Sequence, residues 1–157
     1  MDPLNTFDVA EEDISGEDVR LLLARHFDLM RSNSPISSCH VMQPDELLDA
    51  QAVLLTVRRA GDLLGLGAIR QIAPAHAELK SMHTSQKARG QGVGQMVLTH
   101  LLERARCDGM SRVSLETGTI DLFAPARALY LRNGFVECPP FGDYVHDPLS
   151  VFMTRLL

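Results

Sequence analysis

Apolar residues recur along this chain with two different spacings, which together predict an alternation of helices and strands. Within 17–31 and within 91–107 they lie three or four positions apart, a spacing typical of helices with one buried face. Shorter helices are predicted at 44–49 and from Pro125, a residue that suits the first turn of a helix. Strands are predicted at 5–10, 52–59, 63–72, 77–84, 112–117, 135–138 and 150–156.

The order of these elements predicts the fold class. The segment Ala60-Gly61-Asp62 separates two strands and is a good signal for a hairpin. The chain has 157 residues, a length that fits one domain, and it contains no internal repeat or linker. We therefore predict a single domain over 1–157, of the α/β (α+β) class, with a mixed sheet and helices packed on it.

Composition narrows the classes of function. The net charge is −5, which disfavours nucleic acid as a partner. No apolar run approaches the roughly 18 residues of a membrane span, and the first residues lack the features of a signal peptide. Cys39, Cys107 and Cys138 are far apart and the histidines are scattered. We therefore expect no metal site, no membrane association and a cytoplasmic location.

The segment Arg89-Gly90-Gln91-Gly92-Val93-Gly94, followed by Gln95, lies between a predicted strand and the long predicted helix. A helix start offers N–H groups without partners and the positive end of the helix dipole, and both favour phosphate. Glycine lets an anion approach the backbone closely. Neither the P-loop nor the GxGxxG dinucleotide motif fits the spacing. On its residues alone, the segment is either an anion site or a flexible turn that starts a helix.

Two motifs resemble those of the GNAT superfamily of acetyltransferases. Arg89-x-x-Gly92-x-Gly94 is similar to the R/Q-x-x-G-x-G/A motif of that family, and the stretch 128–135 is similar to its A-x-x-L-Y-x-x-x-G-F block. The resemblance extends over about 54–135. It implies a mixed, mostly antiparallel central sheet of about six to seven strands, flanked by about four helices and splayed between strands 4 and 5. It also implies acetyl-CoA as the co-substrate.

In the GNAT family the glycine motif binds the pyrophosphate of coenzyme A, and the preceding strand pairs with the pantetheine arm. Many members carry an asparagine seven residues before the helix tyrosine, where this chain has Phe123. Phe123 could pack on the pantetheine, line the acceptor pocket, or only hold the helix start on the core. The resemblance implies acetyl-CoA contacts at Met82, His83, Thr84, Arg89, Gly90, Gln91, Gly92, Val93, Gly94, Gln95, Phe123 and Ala126.

Acetyl transfer to an amine needs a base for the amine and a proton donor for the departing thiolate. The resemblance implies that Tyr130 is the acid, although a tyrosine packed in the core is the other interpretation. Glu78 matches a strand glutamate that is the base in some members, and Glu116 on the adjacent strand is the alternative base. Strand alternation predicts that Lys80 and Met82 share the face of Glu78. Lys80 could then pair with Glu78 and keep its pKa low, or bind a carboxylate of the substrate instead.

Acceptor contacts are predicted in 31–40 and 141–146 and at Arg70, Lys80 and Tyr144. Arg70 and Lys80 would suit an acceptor that bears a carboxylate. The leading hypothesis is acetyl-CoA-dependent N-acetylation of the primary amine of a small molecule. The alternatives are acetylation of a protein lysine or N-terminus, and a non-catalytic acyl-CoA sensor. The resemblance also allows a homodimer.

Overall fold

The computed structural model describes residues 6–33 and 40–157, and over these ranges it contains seven strands and four α-helices. In chain order these are β1 (Phe7–Glu12), α1 (Glu17–Asn33), α2 (Pro44–Asp49), β2 (Val53–Arg59), β3 (Asp62–Ala73), β4 (His76–Thr84), α3 (Val93–Cys107), β5 (Arg112–Gly118), α4 (Ala124–Arg132), β6 (Val136–Glu137) and β7 (Ser150–Leu156). A turn of 3₁₀ helix precedes α3 and another precedes α4.

The strands form one sheet in the order β1-β2-β3-β4-β5-β7-β6. All neighbouring strands are antiparallel except β4 and β5, which are parallel. Parallel neighbours need a crossover connection, and here α3 supplies it. The prediction of a mixed, mostly antiparallel sheet flanked by helices is confirmed.

The sheet opens between β4 and β5. The last pair between them joins Glu78 to Ser114, although β4 continues to Thr84 and β5 to Gly118. Beyond that pair the facing edges of the two strands do not bond to each other. The predicted splay between strands 4 and 5 is therefore present, and it leaves a wedge-shaped opening in the middle of the sheet.

Helices cover both faces of the sheet, and each face has its own apolar cluster. On one face α3 buries the stripe that its spacing predicted, including Val97, Leu98 and Leu101. On the other face α1 buries Val19 and Leu23 against residues of β2 and β3. The opening between β4 and β5 therefore lies between two packed layers, which fix the positions of the side chains around it.

A β-bulge interrupts β4 and corrects one prediction about the side-chain faces. Lys80 pairs with Ala68 and His83 with Leu66, so Ser81 and Met82 together lie opposite Gly67. Lys80 shares the face of Glu78 as predicted, and the two side chains form an ion pair. The placement of Met82 on that face was wrong, because the extra residue turns its side chain toward the cluster under α3.

Element boundaries differ from the predictions by a few residues, for local reasons. The strand predicted at 5–10 is β1, and it continues to Glu12 because its pairing with β2 extends to Leu54. The long helix begins at Val93 rather than at 91, because Gly92 has a φ of +80° and cannot be helical. The predicted end of the first helix, near 34–35, lies outside the described residues.

Candidate active site

A cleft occupies the opening where β4 and β5 separate. The structure brings together many of the predicted site residues around it. The residues lining the cleft include Glu78, Lys80, Met82, Glu116, Phe123, Ala126, Tyr130 and Tyr144. Arg70 reaches this site through its contact with Glu78 and is not among the residues that line the cleft.

The glycine turn follows the end of β4 and has the backbone that glycine favours. Gly90 and Gly92 have φ values of +78° and +80°, in the left-handed region. A Cβ at either position would meet nothing within 4 Å, so glycine is required here by conformation rather than by crowding. The same open space leaves room for a ligand in front of the turn.

The start of α3 offers unpaired backbone donors to that space. Gly92 is the N-cap residue and provides no side-chain cap, and the first helical bond runs from Met96 N to Gly92 O at 3.1 Å. The amides of Val93, Gly94 and Gln95 therefore have no acceptor within the helix. Together with the charge of Arg89 beside the turn, these amides form an environment suited to phosphate.

Gln95 and Gly94 also attach α3 to α4. The Gln95 side chain donates to Asn133 Oδ1 at 2.8 Å and accepts from Asn133 Nδ2 at 2.8 Å. A Cβ on Gly94 would lie 3.4 Å from Leu129, so the two helices approach closely at this point. The side chain of Gln95 is thus committed to packing the helices together, and only its main chain remains for a ligand.

Glu78 is the centre of a buried polar network. Its side chain is 1% exposed, and it accepts from Arg70 Nε at 3.0 Å on one oxygen and from the Tyr144 hydroxyl at 2.5 Å on the other. Lys80 Nζ lies 3.6 Å from that second oxygen. Both carboxylate oxygens are therefore engaged by hydrogen-bond donors from other parts of the chain.

Lys80 extends the same network to two other parts of the chain. Its ammonium donates to the backbone carbonyl of His40 and to the Tyr144 hydroxyl, each at 2.9 Å. Burial lowers the pKa of Lys80 below its usual range, and the carboxylate of Glu78 opposes that shift. Lys80 thus holds the segment at His40 and the loop that carries Tyr144 against β4.

Glu116 faces the same cleft from β5, in a different environment. One of its oxygens accepts a 2.9 Å hydrogen bond from the Ser150 hydroxyl. Burial raises the pKa of Glu116 to about 7, against the lowering effects of that hydrogen bond and of the charge on Lys80. A carboxyl group with this pKa exchanges protons readily near neutral pH, which a general base requires.

Tyr130 lies on α4 across the cleft. Its side chain is buried and its ring contacts Phe135 edge-on, with centroids 5.8 Å apart. Among the described residues, no side chain or backbone group makes a hydrogen bond to its hydroxyl. Burial raises the pKa of Tyr130, and the charge of Glu116 adds to this, so the phenol keeps its proton at neutral pH.

His83, a predicted cofactor contact, joins β4 to α1. Its Nδ1 lies 3.1 Å from Nδ1 of His26, so one ring donates to the other. Burial lowers the pKa of His83 to about 4 and that of His26 to about 3, so both rings are neutral at neutral pH. Thr84, the next residue, lies beside Gly94 at the start of α3 and continues β4 toward the glycine turn.

Phe123 packs its ring on Gly118 at the end of β5, where a Cβ would overlap the ring. It is buried just before α4 and lines the cleft with Ala126. The interpretations of Phe123 as a pocket residue and as a residue that fixes the helix start are therefore compatible. In this position it narrows the cleft on the side of β5.

Three polar residues that line the cleft were not predicted from the sequence as site residues. Ser81 lies at the bulge, His26 on α1 and Thr117 on β5. A helical spacing marked His26 as a residue on the buried face, but no motif marks the other two. Within the ranges that the structure describes, there is no group of three or more potential metal ligands and no helix long and apolar enough to cross a bilayer.

Comparison with known proteins identifies this arrangement. A model of the Acetyltransferase (GNAT) family matches residues 21–135, which include the splayed strands, the glycine turn and the tyrosine of α4. The chain belongs to the GNAT family. It is an acetyltransferase, as its similarity to named enzymes over nearly its whole length also indicates.

Two curated relatives and one solved structure illustrate that similarity. The chain is 39% identical to the uncharacterised N-acetyltransferase YsnE of Bacillus subtilis over 93% of this chain and 97% of the relative. It is 35% identical to the uncharacterised N-acetyltransferase YedL of Escherichia coli, over 96% of this chain and 95% of the relative. A crystal structure from Klebsiella pneumoniae, provisionally named an acyl-CoA N-acyltransferase, has a TM-score of 0.79 and 28% identity and covers 97% of this chain and 98% of its own.

Proposed function

We propose that this GNAT acetyltransferase moves the acetyl group of acetyl-CoA directly to the primary amine of a small molecule. The observation that carries the proposal is the cleft between β4 and β5, which has Glu116 on one side and Tyr130 on the other. A carboxyl group that titrates near neutral pH thus faces a phenol that keeps its proton. This pair fits the two proton transfers of the reaction.

The donor end of the site is the glycine turn. The unpaired amides at the start of α3, the open space before Gly90 and Gly92, and the charge of Arg89 fit the pyrophosphate of coenzyme A. From there β4 runs through Thr84, His83 and Met82 to the cleft. The pantetheine arm would follow this exposed strand edge and bring the thioester to the opening.

We assign the base to Glu116 and not to Glu78. One oxygen of Glu78 accepts a hydrogen bond from Arg70 and the other accepts one from Tyr144. Lys80 also forms an ion pair with the second oxygen. Both oxygens of Glu78 are thus already engaged, whereas among the described residues Glu116 has one hydrogen bond, from Ser150. The amine would lose a proton to Glu116 as its nitrogen bonds to the acetyl carbon. The thiolate would take the proton of Tyr130 as the carbon–sulfur bond breaks.

Arg70 and Lys80 receive a positioning role in this proposal. Lys80 already donates to His40 and Tyr144, so its ammonium has little capacity left for an acceptor carboxylate. The segment at His40 and the loop at Tyr144 then form fixed walls at the acceptor end of the cleft. Walls of this kind favour a small acceptor over the broad groove that a protein substrate would need.

A screen of amines tests the proposal. Purified enzyme is incubated with acetyl-CoA and a panel of amino acids, polyamines, aromatic amines and lysine-containing peptides, and products are identified by mass spectrometry. Acetylated small amines formed with stoichiometric free thiol would support it. Turnover of peptides alone would favour a protein acetyltransferase, and binding of acetyl-CoA without any turnover would favour a sensor.

A further inference from the structure

His40 lines the cleft and has a ring nitrogen that the proposed acid and base do not use. Its Nε2 is buried and has no hydrogen-bond partner among the described residues. A buried polar atom without a partner costs free energy, so native proteins usually supply one. Because the ring lines the cleft, a bound acceptor is the molecule that would supply this partner.

Two contacts fix the position of the His40 ring. The backbone carbonyl of His40 accepts a 2.9 Å hydrogen bond from Lys80 Nζ. The ring meets that of Tyr144 edge-on, with centroids 5.0 Å apart. Neither contact gives Nε2 a hydrogen bond. A polar atom that is already held in place loses little conformational entropy when a ligand binds, so it is well suited to select one.

The imidazole of His40 is uncharged at neutral pH. Burial lowers the pKa of His40 and the charge of Lys80 lowers it further, against the opposing charges of Asp147 and Glu78. One nitrogen of a neutral imidazole donates a hydrogen bond and the other accepts one. A hydroxyl group both donates and accepts, so it can pair with Nε2 in either tautomer.

The charges around the cleft disfavour a second charged group on the acceptor. Lys80 is the only lysine or arginine among the described residues that line the cleft. Its ammonium already contacts His40, Tyr144 and Glu78. A carboxylate on the acceptor would therefore have no cation of its own and would face Glu78 and Glu116. A second ammonium beside His40 would face the charge of Lys80.

Apolar side chains also line the cleft. Val41, next to His40, lines it with Met30 of α1 and with Leu149. These side chains suit a carbon chain between the amine and the hydroxyl group. On the basis of the proposed function, we propose that the acceptors are amino alcohols. His40 Nε2 binds the hydroxyl group while the amine reaches Glu116.

A set of acceptors with matched chains tests this substrate class. The set contains 3-aminopropan-1-ol, propylamine, β-alanine and 1,3-diaminopropane, together with their longer homologues, and release of free thiol gives kcat/KM for each. We expect the best amino alcohol to exceed the alkylamine of the same length about 10-fold in kcat/KM, the effect of one hydrogen bond. The carboxylate and diamine members should fall below the amino alcohol as well.

His40→Phe tests the residue. It keeps an aromatic ring against Tyr144 and the carbonyl that binds Lys80, and it removes both ring nitrogens. The preference for the amino alcohol over the alkylamine should therefore disappear. His40→Gln restores a polar group on the side chain and should regain part of the preference.

His76→Phe is the matched control. The Nε2 of His76 already has a partner, the Ser114 hydroxyl at 2.7 Å, and its ring lies near Phe141 rather than in the lining of the cleft. The preference should remain in this variant. Calorimetry with coenzyme A checks that each variant is folded, and the wild-type Kd is expected because neither histidine lies at the glycine turn.

A wild-type enzyme that prefers propylamine, β-alanine or 1,3-diaminopropane would overturn the substrate class. A preference that persists in His40→Phe, or is lost equally in His76→Phe, would overturn the role of His40. An absence of turnover with every amine would instead count against the proposed function.

Discussion

The Tyr144 hydroxyl donates a 2.5 Å hydrogen bond to Glu78 Oε2 and accepts a 2.9 Å hydrogen bond from Lys80 Nζ. One phenol thus bridges the two charged groups of β4 from a loop 64 to 66 positions further along the chain. The bridge holds the loop against the sheet and places the Tyr144 ring on the wall of the cleft. If this wall binds the acceptor, as we propose, Tyr144 links the stability of the fold to acceptor binding through one side chain.

Tyr144→Phe should lower the stability of the fold and weaken binding of the acceptor. The substitution leaves a buried carboxylate and a buried ammonium each without one partner, which we expect to cost about 1–3 kcal/mol in the free energy of unfolding. The loop would be held less firmly, so KM for the acceptor should rise while KM for acetyl-CoA stays near the wild-type value. Urea denaturation and steady-state kinetics measure the two effects. An unchanged acceptor KM in a destabilised variant would show that the loop does not form the acceptor site.

Tyr130→Phe is the matched comparison, since the chain has two tyrosines and both face the cleft. The Tyr130 hydroxyl makes no hydrogen bond with the described residues, so its removal should change stability little. Loss of the proton donor should nevertheless lower kcat by roughly 100-fold, within the range of general acid catalysis. If kcat stayed at the wild-type level, another group would have to protonate the thiolate.

Glu116→Gln should change the pH dependence of the reaction. A base must be deprotonated to act, and the pKa of Glu116 is raised to about 7. We therefore expect kcat/KM of the wild type to rise with pH through about 7 and then level off, with Glu116→Gln lacking that step. Glu78→Gln is the contrasting variant, which should lose stability and keep the step. A pH profile that is the same in wild type and Glu116→Gln would exclude this base.

The raised pKa of Glu116 also makes the stability of the fold depend on pH. Because folding raises the pKa of Glu116, the folded protein binds a proton more tightly than the unfolded chain does. The contribution of Glu116 is thus greatest below its ordinary value of 4.5 and is lost as pH rises toward about 7. Glu116→Gln, which stays neutral, should be more stable than wild type at pH 8, with little difference at pH 4. Thermal unfolding at the two pH values measures this.

Much of the fold follows from spacing along the sequence, because helices and half-buried strands repeat their apolar residues with different periods. The stripe of α3 and the hairpin at Gly61 are local patterns, and both are present in the structure. The turn at Gly90 and Gly92 could also be predicted, since positive φ values favour glycine. The bulge at Ser81 could not be predicted, because a serine in the sequence does not indicate a left-handed backbone.

The candidate site was only partly predictable, because its contacts join distant parts of the chain. Glu78 and Tyr144 are 66 positions apart and meet through a loop without a regular pattern. The choice between Glu78 and Glu116 depends on their hydrogen bonds and burial, which follow from packing rather than from residue type. The contacts of Lys80 with His40 and Tyr144 also come from packing, and they are the reason for our proposal that it positions the walls of the cleft and does not bind the acceptor.

Gly92→Ala should weaken binding of coenzyme A more than it weakens the fold. Gly109, at the other end of α3, provides the control, since it has the same φ of +80° and equally open surroundings. An alanine at either position is strained by about 1–2 kcal/mol, so both variants should lose similar stability. Only Gly92→Ala alters the helix start, where the unpaired amides lie. We expect its Kd for coenzyme A to rise about 10-fold, or 1.4 kcal/mol, while that of Gly109→Ala stays at the wild-type value.

Isothermal titration calorimetry and thermal unfolding of the two glycine variants measure affinity and stability separately. Since the charge of Arg89 is proposed to take part in binding the pyrophosphate, raising the salt concentration should weaken binding in both variants. The difference between the variants should remain, because it comes from the amides, which carry no net charge. Equal affinities in the two variants would place the pyrophosphate elsewhere, because the strain is the same at both glycines and only one lies at the start of the helix. A larger stability loss in Gly92→Ala alone would instead show that this glycine is needed chiefly for folding α3.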